Sequence, residues 1–188
     1  QMALLIAIIV LMAFTPLGYL RTAGVEITFI MIPVVVGAIL MGPGAGAILG
    51  GVFGLTSFIQ CFGMSALGAM LLQVNWFFTF VVCFVPRVLM GWLAGLIFKA
   101  LYKVDKTRLV SFAVASLSGA VLNTIFFVGS LGLLFYNTVL GMAAESGISV
   151  LAFLLSFVTL NSVLECAACL IVGTAISKAL YKSFGSIK

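Results

Sequence analysis

NWFFTFVVCFVPRVLMGWLAGLIFKAL, residues 75–101, is a nearly unbroken apolar run with Arg87 in its middle, directly after Pro86. Roughly 20 apolar residues carry a helix across a bilayer, so this run crosses one with tilt. An arginine at bilayer depth costs about 2.5–3.5 kcal/mol on insertion scales and faces a protein interior or a wet cavity. Other segments must therefore gather around Arg87, and the fold follows from which ones do.

The composition agrees. Of 188 residues, 64% are hydrophobic and 7% charged, against about 25% charged in a soluble domain. The apolar runs are long and lack the two-residue alternation of barrel strands. The expectation is an all-α membrane protein, a single domain over residues 1–188. The chain has no histidine, which removes the commonest general base and metal ligand. No cofactor is expected. Cys61, Cys83, Cys166 and Cys169 fall in apolar surroundings, so disulfides are not expected. Cys166-x-x-Cys169 lacks the further ligands a tetrahedral zinc needs and reads as helical core. The net charge of +5 is a topology signal rather than a nucleic-acid footprint. No basic region precedes the first apolar run, and no cleavable signal peptide is expected.

Six spans account for the chain. The first is residues 2–14, followed by a loop at 15–26 (TPLGYLRTAGVE) punctuated by Pro16, Gly18 and Gly24. The second is about 27–41, with Pro33. The third is about 45–62, where Gly46, Gly50 and Gly54 form one stripe suited to close helix packing. GPGAGAILGG lacks the lysine and hydroxyl of a phosphate-binding loop. Residues 60–73 are a weakly polar connection that could lie in the interface or fold back as a lid. The fourth span is the opening run. A charged turn at 102–108 leads to the fifth, about 109–135, then a loop at 136–147. The sixth runs about 148–179 into a basic tail. Seven of nine Lys/Arg lie at or just after the end of span four or of span six. With six spans those places share a face with both termini, and the positive-inside rule makes it cytoplasmic. The loops at 15–26, 60–73 and 136–147 then lie outside.

Arg87 has company at depth. Counted along their spans, Arg87, Asn123, Asn161 and Glu165 all lie about 12–17 residues in, near the midplane at 1.5 Å per residue. Asn161 and Glu165 are four apart and share a helical face. An intramembrane ionisable residue is a functional-site hypothesis by default. The plainer alternative is that Arg87 and Glu165 neutralise each other, with the asparagines as interhelical glue. Outer loops poor in charge and rich in Gly, Met and aromatics favour a lid over a small-molecule pocket. Phe126, Phe127, Tyr136 and Trp76 are candidates for its apolar walls, and lipid-facing aromatics are the alternative for each.

Five stretches carry a family resemblance: Ala3-x-x-x-Ala7, TPLGY at 15–19, IPVVVGAILMGPGAGAILGGVFGLTS at 32–57, PRVLMGWLAGLIFKAL at 86–101 and GAVLNT at 119–124. Together they make the chain resemble the substrate-binding S components of energy-coupling factor (ECF) vitamin transporters, most of all the pantothenate-type branch. The resemblance implies a six-helix bundle in the cell membrane that binds a small water-soluble vitamin from outside. It implies partners as well: a transmembrane coupling subunit and two cytoplasmic ATPases, with Ala3 and Ala7 at the docking face. It implies no nucleic acid and no catalysis by this chain. Pantothenate is the expected vitamin, with riboflavin as the competitor. Arg87 is expected to meet the ligand's carboxylate, and Asn123, Asn161 and Glu165 its amide and hydroxyl groups. Gln60, Gln73 and Asn75 are expected to close the pocket from above, and Tyr136 to touch the ligand as part of its wall. Two other classes stand beside this reading. An intramembrane enzyme would use Glu165 and Arg87, but no nucleophile or metal cluster accompanies them. A structural subunit would bind no small ligand.

Overall fold

The computed structural model describes residues 1–15, 18–22, 25–105 and 109–184, with the backbone alone for 19–22, 25–27, 157–161 and 184. The first helix, α1 (Met2–Phe14), leads to a hairpin of β1 (Tyr19–Thr22) and β2 (Val25–Thr28). The strands pair antiparallel, with Tyr19 opposite Thr28. Then follow α2 (Met31–Met41), α3 (Pro43–Gln60), α4 (Ala66–Val74), α5 (Trp76–Tyr102), α6 (Leu109–Leu134) and α7 (Tyr136–Glu145). The last run is α8 (Val150–Ala168), a π-helical turn at Cys169–Gly173, and α9 (Thr174–Phe184).

Among the described residues the elements are helices, joined by turns, apart from that hairpin. Among the described residues, three helical runs are long and apolar enough to cross a membrane: Trp76–Tyr102, Leu109–Leu134 and Ser162–Ser183. The bent pair Tyr136–Glu145 and Val150–Ser156 makes a fourth if counted as one span. α1 and α2 are apolar but shorter. Glycine dilutes the apolar character of α3.

Two connections expected as loops are helices. The segment 60–73 supplies a turn and most of α4, capped by Ser65 Oγ, which accepts the Gly68 N–H at 3.3 Å. The segment 136–147 supplies α7. The second span is shorter than the expected 27–41, because residues through Thr28 are extended. Irregular backbone at membrane depth survives only where protein or a cavity satisfies it. Here the Thr28 N–H donates to Glu165 Oε1 at 2.8 Å, so β2 reaches into the bundle against α8.

α2 is the axis of the fold, buried from Met31 to Leu40. Around it, α3 and α5 make the most extensive contact. The reason is the glycine stripe. A Cβ on Gly46 would stand 2.2 Å from the Gly91 carbonyl oxygen, one on Gly50 2.1 Å from that of Arg87, and one on Gly54 2.8 Å from Phe84 Cα. The partners descend as the glycines ascend, so the two helices run antiparallel with backbones touching.

Two apolar clusters hold the ends of the bundle. The larger contains Leu49, Phe53, Met90, Ala94, Phe112 and Ala120, with α1 and α2. It runs into a ring of Phe98, Tyr102, Phe112 and Tyr181, whose centroids lie 5.0–6.4 Å apart. The exposed Lys99, Lys103, Lys178 and Lys182 stand at this end. The smaller cluster, Leu71, Val82, Leu131, Phe135 and Val139, joins α4 to α7 at the opposite end. Arg87 on α5 and Asn123 on α6 fall between the two.

Candidate functional site

Arg87 is held by the proline before it. Pro86 has no N–H, so the carbonyl four residues earlier, that of Val82, loses its helical donor. Arg87 supplies the replacement: its side chain turns back along α5 and Nη1 donates to the Val82 oxygen at 2.8 Å. The guanidinium carbon lies 4.8 Å from the Phe127 ring centroid on α6 and 5.5 Å from that of Phe53 on α3. Each such face attracts a desolvated cation by about 0.5–2 kcal/mol. The charge is thus aimed into the protein. Its Nε is buried and has no hydrogen-bond partner among the described residues.

Asn123 shares this space. Gly119, one turn earlier on α6, packs toward α2 and α5: a Cβ there would stand 2.4 Å from Val35 Cγ2 and 3.9 Å from Met90 Sδ. Phe127, one turn later, faces Arg87. Residues four apart line one helical face, so Asn123 shares the face of α6 that carries Gly119 and Phe127. It is buried, and its Oδ1 has no partner among the described residues.

α8 closes the third side. Thr124 and Ser162 hydroxyls meet at 2.9 Å and fix α8 against α6 at this depth. One turn on, Glu165 is buried, bonded to the Thr28 N–H, and within electrostatic reach of Arg87. Among the described residues the two form no ion pair. Asn161 stands one turn before Glu165 on α8, and its side chain lies outside the described residues. Arg87, Asn123 and Glu165 therefore converge from α5, α6 and α8, with a free buried donor on the first and a free buried acceptor on the second. Buried polar groups of this kind are uncommon in native proteins; the others among the described residues are the hydroxyls of Ser116, Thr174 and Ser177.

Residues 1–177 match the family described as ECF transporter, substrate-specific component. The chain belongs to that family. This S component is 29% identical over 171 residues to the pantothenic acid transporter PanT of Lactococcus lactis subsp. cremoris, covering 85% of this chain and 80% of that protein. It is also 29% identical over 189 residues to the pantothenate transporter PanT of Leuconostoc mesenteroides subsp. mesenteroides, covering 93% and 87%. It is a multi-pass cell-membrane transport component, not an enzyme.

The remaining expected residues of the S component are placed differently from the polar layer. Gln60 is buried at the end of α3, and its Nε2 donates to the Ala13 carbonyl of α1. Asn75 caps α5: its Oδ1 accepts the N–H groups of Phe77 and Phe78 at 3.0 and 3.2 Å. Gln73 and Tyr136 are exposed on α4 and α7. Ala3 and Ala7 are exposed on α1, beside Leu4 and Leu11. The structure adds Phe53, Val82 and Thr28 to the site. The proline rule alone points to Val82, four residues before Pro86. Thr28 lies 137 residues from Glu165, and no local signal joins them.

Proposed function

We propose that this chain captures pantothenate from outside the cell and passes it inward with an energising module. One observation carries this reading: the unpartnered Arg87 Nε and Asn123 Oδ1, buried beside Glu165 in a wall of aromatic side chains. Pantothenate offers a carboxylate, an amide and two hydroxyls. Arg87 would take the carboxylate by charge-assisted hydrogen bonds. Asn123 Oδ1 would accept from the amide or a hydroxyl, and Asn161 and Glu165 would take the other polar groups. Gln73, Asn75 and Tyr136, with α4 and α7, would cover the ligand, and Gln60 would anchor that cover to α1. The names of the two PanT relatives support this vitamin over riboflavin.

The proposed topology has six crossings, α1, α2, α3, α5, α6 and the α8–α9 run, with both termini cytoplasmic. The four lysines at the end of the bundle opposite α4 and α7 support it by the positive-inside rule. α2 needs no full span of its own, because it is sheathed in protein and continued by β2.

Titration of pantothenate into the purified protein tests the function. We expect saturable one-to-one binding and no comparable binding of riboflavin. A protein that takes up no pantothenate would refute the proposal, and a yellow preparation would give the site to riboflavin.

The partners would be a transmembrane coupling subunit and two ATPases, docking on the exposed Ala3–Ala7 face, where small side chains admit a close helix. Replacing both with leucine should abolish co-purification with the coupling subunit while pantothenate binding by the isolated chain persists. Unchanged co-purification would move the docking face elsewhere.

A further inference from the structure

Two thiols meet one turn from the polar layer, and no step of vitamin capture uses them. Cys61 follows the last turn of α3, Cys83 lies four residues before Arg87 on α5, and their Sγ atoms are 3.6 Å apart in buried surroundings. Their apolar surroundings argue against a disulfide in sequence, and nothing there brings together two cysteines 22 residues apart. Among the described residues no such approach joins Cys166 to Cys169.

Helix α4 packs on Cys61. Gly68 of α4 packs so tightly on Cys61 that a Cβ there would stand 2.6 Å from Sγ. The turn between them holds Gly63 at φ +123, with open space around it, and Phe62 and Met64 exposed. Glycine reaches that backbone conformation without strain. Uncovering the sulfurs takes Gly68 off Cys61 and draws Leu71 of α4 out of its cluster with Val82, Leu131, Phe135 and Val139, whereas the α3–α5 contact is made by Gly46, Gly50 and Gly54 against Gly91, Arg87 and Phe84.

We propose that Cys61 and Cys83 form a reversible disulfide when α4 lifts, clamping the end of α3 onto α5 beside the ligand site. The oxidant is a small-molecule disulfide such as oxidised glutathione. One cysteine thiolate attacks it, forming a mixed disulfide and releasing one glutathione thiolate. The second cysteine thiolate attacks the protein sulfur of that mixed disulfide and releases the other. The two cysteines give up two protons and two electrons, and the oxidant becomes two thiols. The sulfurs must close from 3.6 Å to about 2.05 Å. That this end faces an oxidising exterior rests on the topology proposed above; formation of the bond does not.

The test is differential alkylation of the purified full chain. The protein is exposed to oxidised glutathione, quenched in acid, denatured, alkylated and digested for mass spectrometry. We expect alkylated Cys61 and Cys83 to fall together by about tenfold, with a Cys61–Cys83 linked peptide, and to return on reduction with dithiothreitol. Cys166 and Cys169 stay alkylated. In Cys61→Ser, Cys83 should stay alkylatable or carry glutathione. Retention of both thiols after oxidation, or linkage of either to another cysteine, overturns the proposal. Neither result bears on the pantothenate titration.

Discussion

Arg87→Ala weakens pantothenate binding by about 100-fold or more. A hydrogen bond to a charged group contributes about 1.5–3 kcal/mol. Truncating one partner of a buried charge pair costs about 2–5 kcal/mol, much of it from the carboxylate left without a partner. The same variant also strips the donor from the Val82 carbonyl, which Arg87 Nη1 holds at 2.8 Å. That orphan adds about 1–3 kcal/mol of lost stability. The two effects separate in a Pro86→Ala background, where the restored N–H serves Val82 directly. There, Arg87→Ala should cost little stability and the same affinity. The melting temperature and a pantothenate titration of all four proteins read this cycle. Equal binding by wild type and Arg87→Ala would leave Arg87 as a helix-repair device only.

Gly50→Val should break the fold at the contact that positions Arg87. Its Cβ would lie 2.1 Å from the Arg87 carbonyl oxygen and 3.2 Å from Val88 Cα. These are backbone atoms, and no side-chain rotation relieves the clash. α3 and α5 must part, which costs about 1–3 kcal/mol or more and lowers the melting temperature by about 5–10 °C. Pantothenate affinity falls with it, because the Phe53 and Phe127 faces no longer bracket the guanidinium. Gly44, on the same helix, has nothing within 4 Å of an added Cβ. Gly44→Ala should be neutral or slightly stabilising. Equal melting of the two variants would show that the α3–α5 contact yields easily.

What the sequence revealed and what it hid have separate physical causes. The four-residue spacing of Gly46, Gly50 and Gly54 announces a close helix contact, because it repeats a periodic geometry. The partner helix was beyond reach, since any span is long enough to offer one. Arg87, Asn123 and Glu165 stand out because a polar residue in an apolar run is costly wherever it sits. Their convergence follows from depth along the helices. The Thr28 bond to Glu165 could not be read, because an extended segment entering a helical bundle carries no periodic trace. Asn75 and Gln60 look like ligand groups in sequence, but their bonds go to the first turn of α5 and to the Ala13 carbonyl. A polar residue at a helix end has backbone groups within reach, and those usually claim it first. α4 and α7 are too short to cross a membrane, so they read as connections until packing against Val82 and Leu131 gives them a face to bury.

The proposed carboxylate contact of Arg87 is most directly tested by selectivity between pantothenate and its alcohol analogue panthenol, titrated in parallel into wild type and Arg87→Ala. The wild type should prefer pantothenate by about 100-fold, and the variant should bind both alike and weakly. A wild-type protein that does not distinguish them, or a variant that keeps the preference, would contradict the site described here.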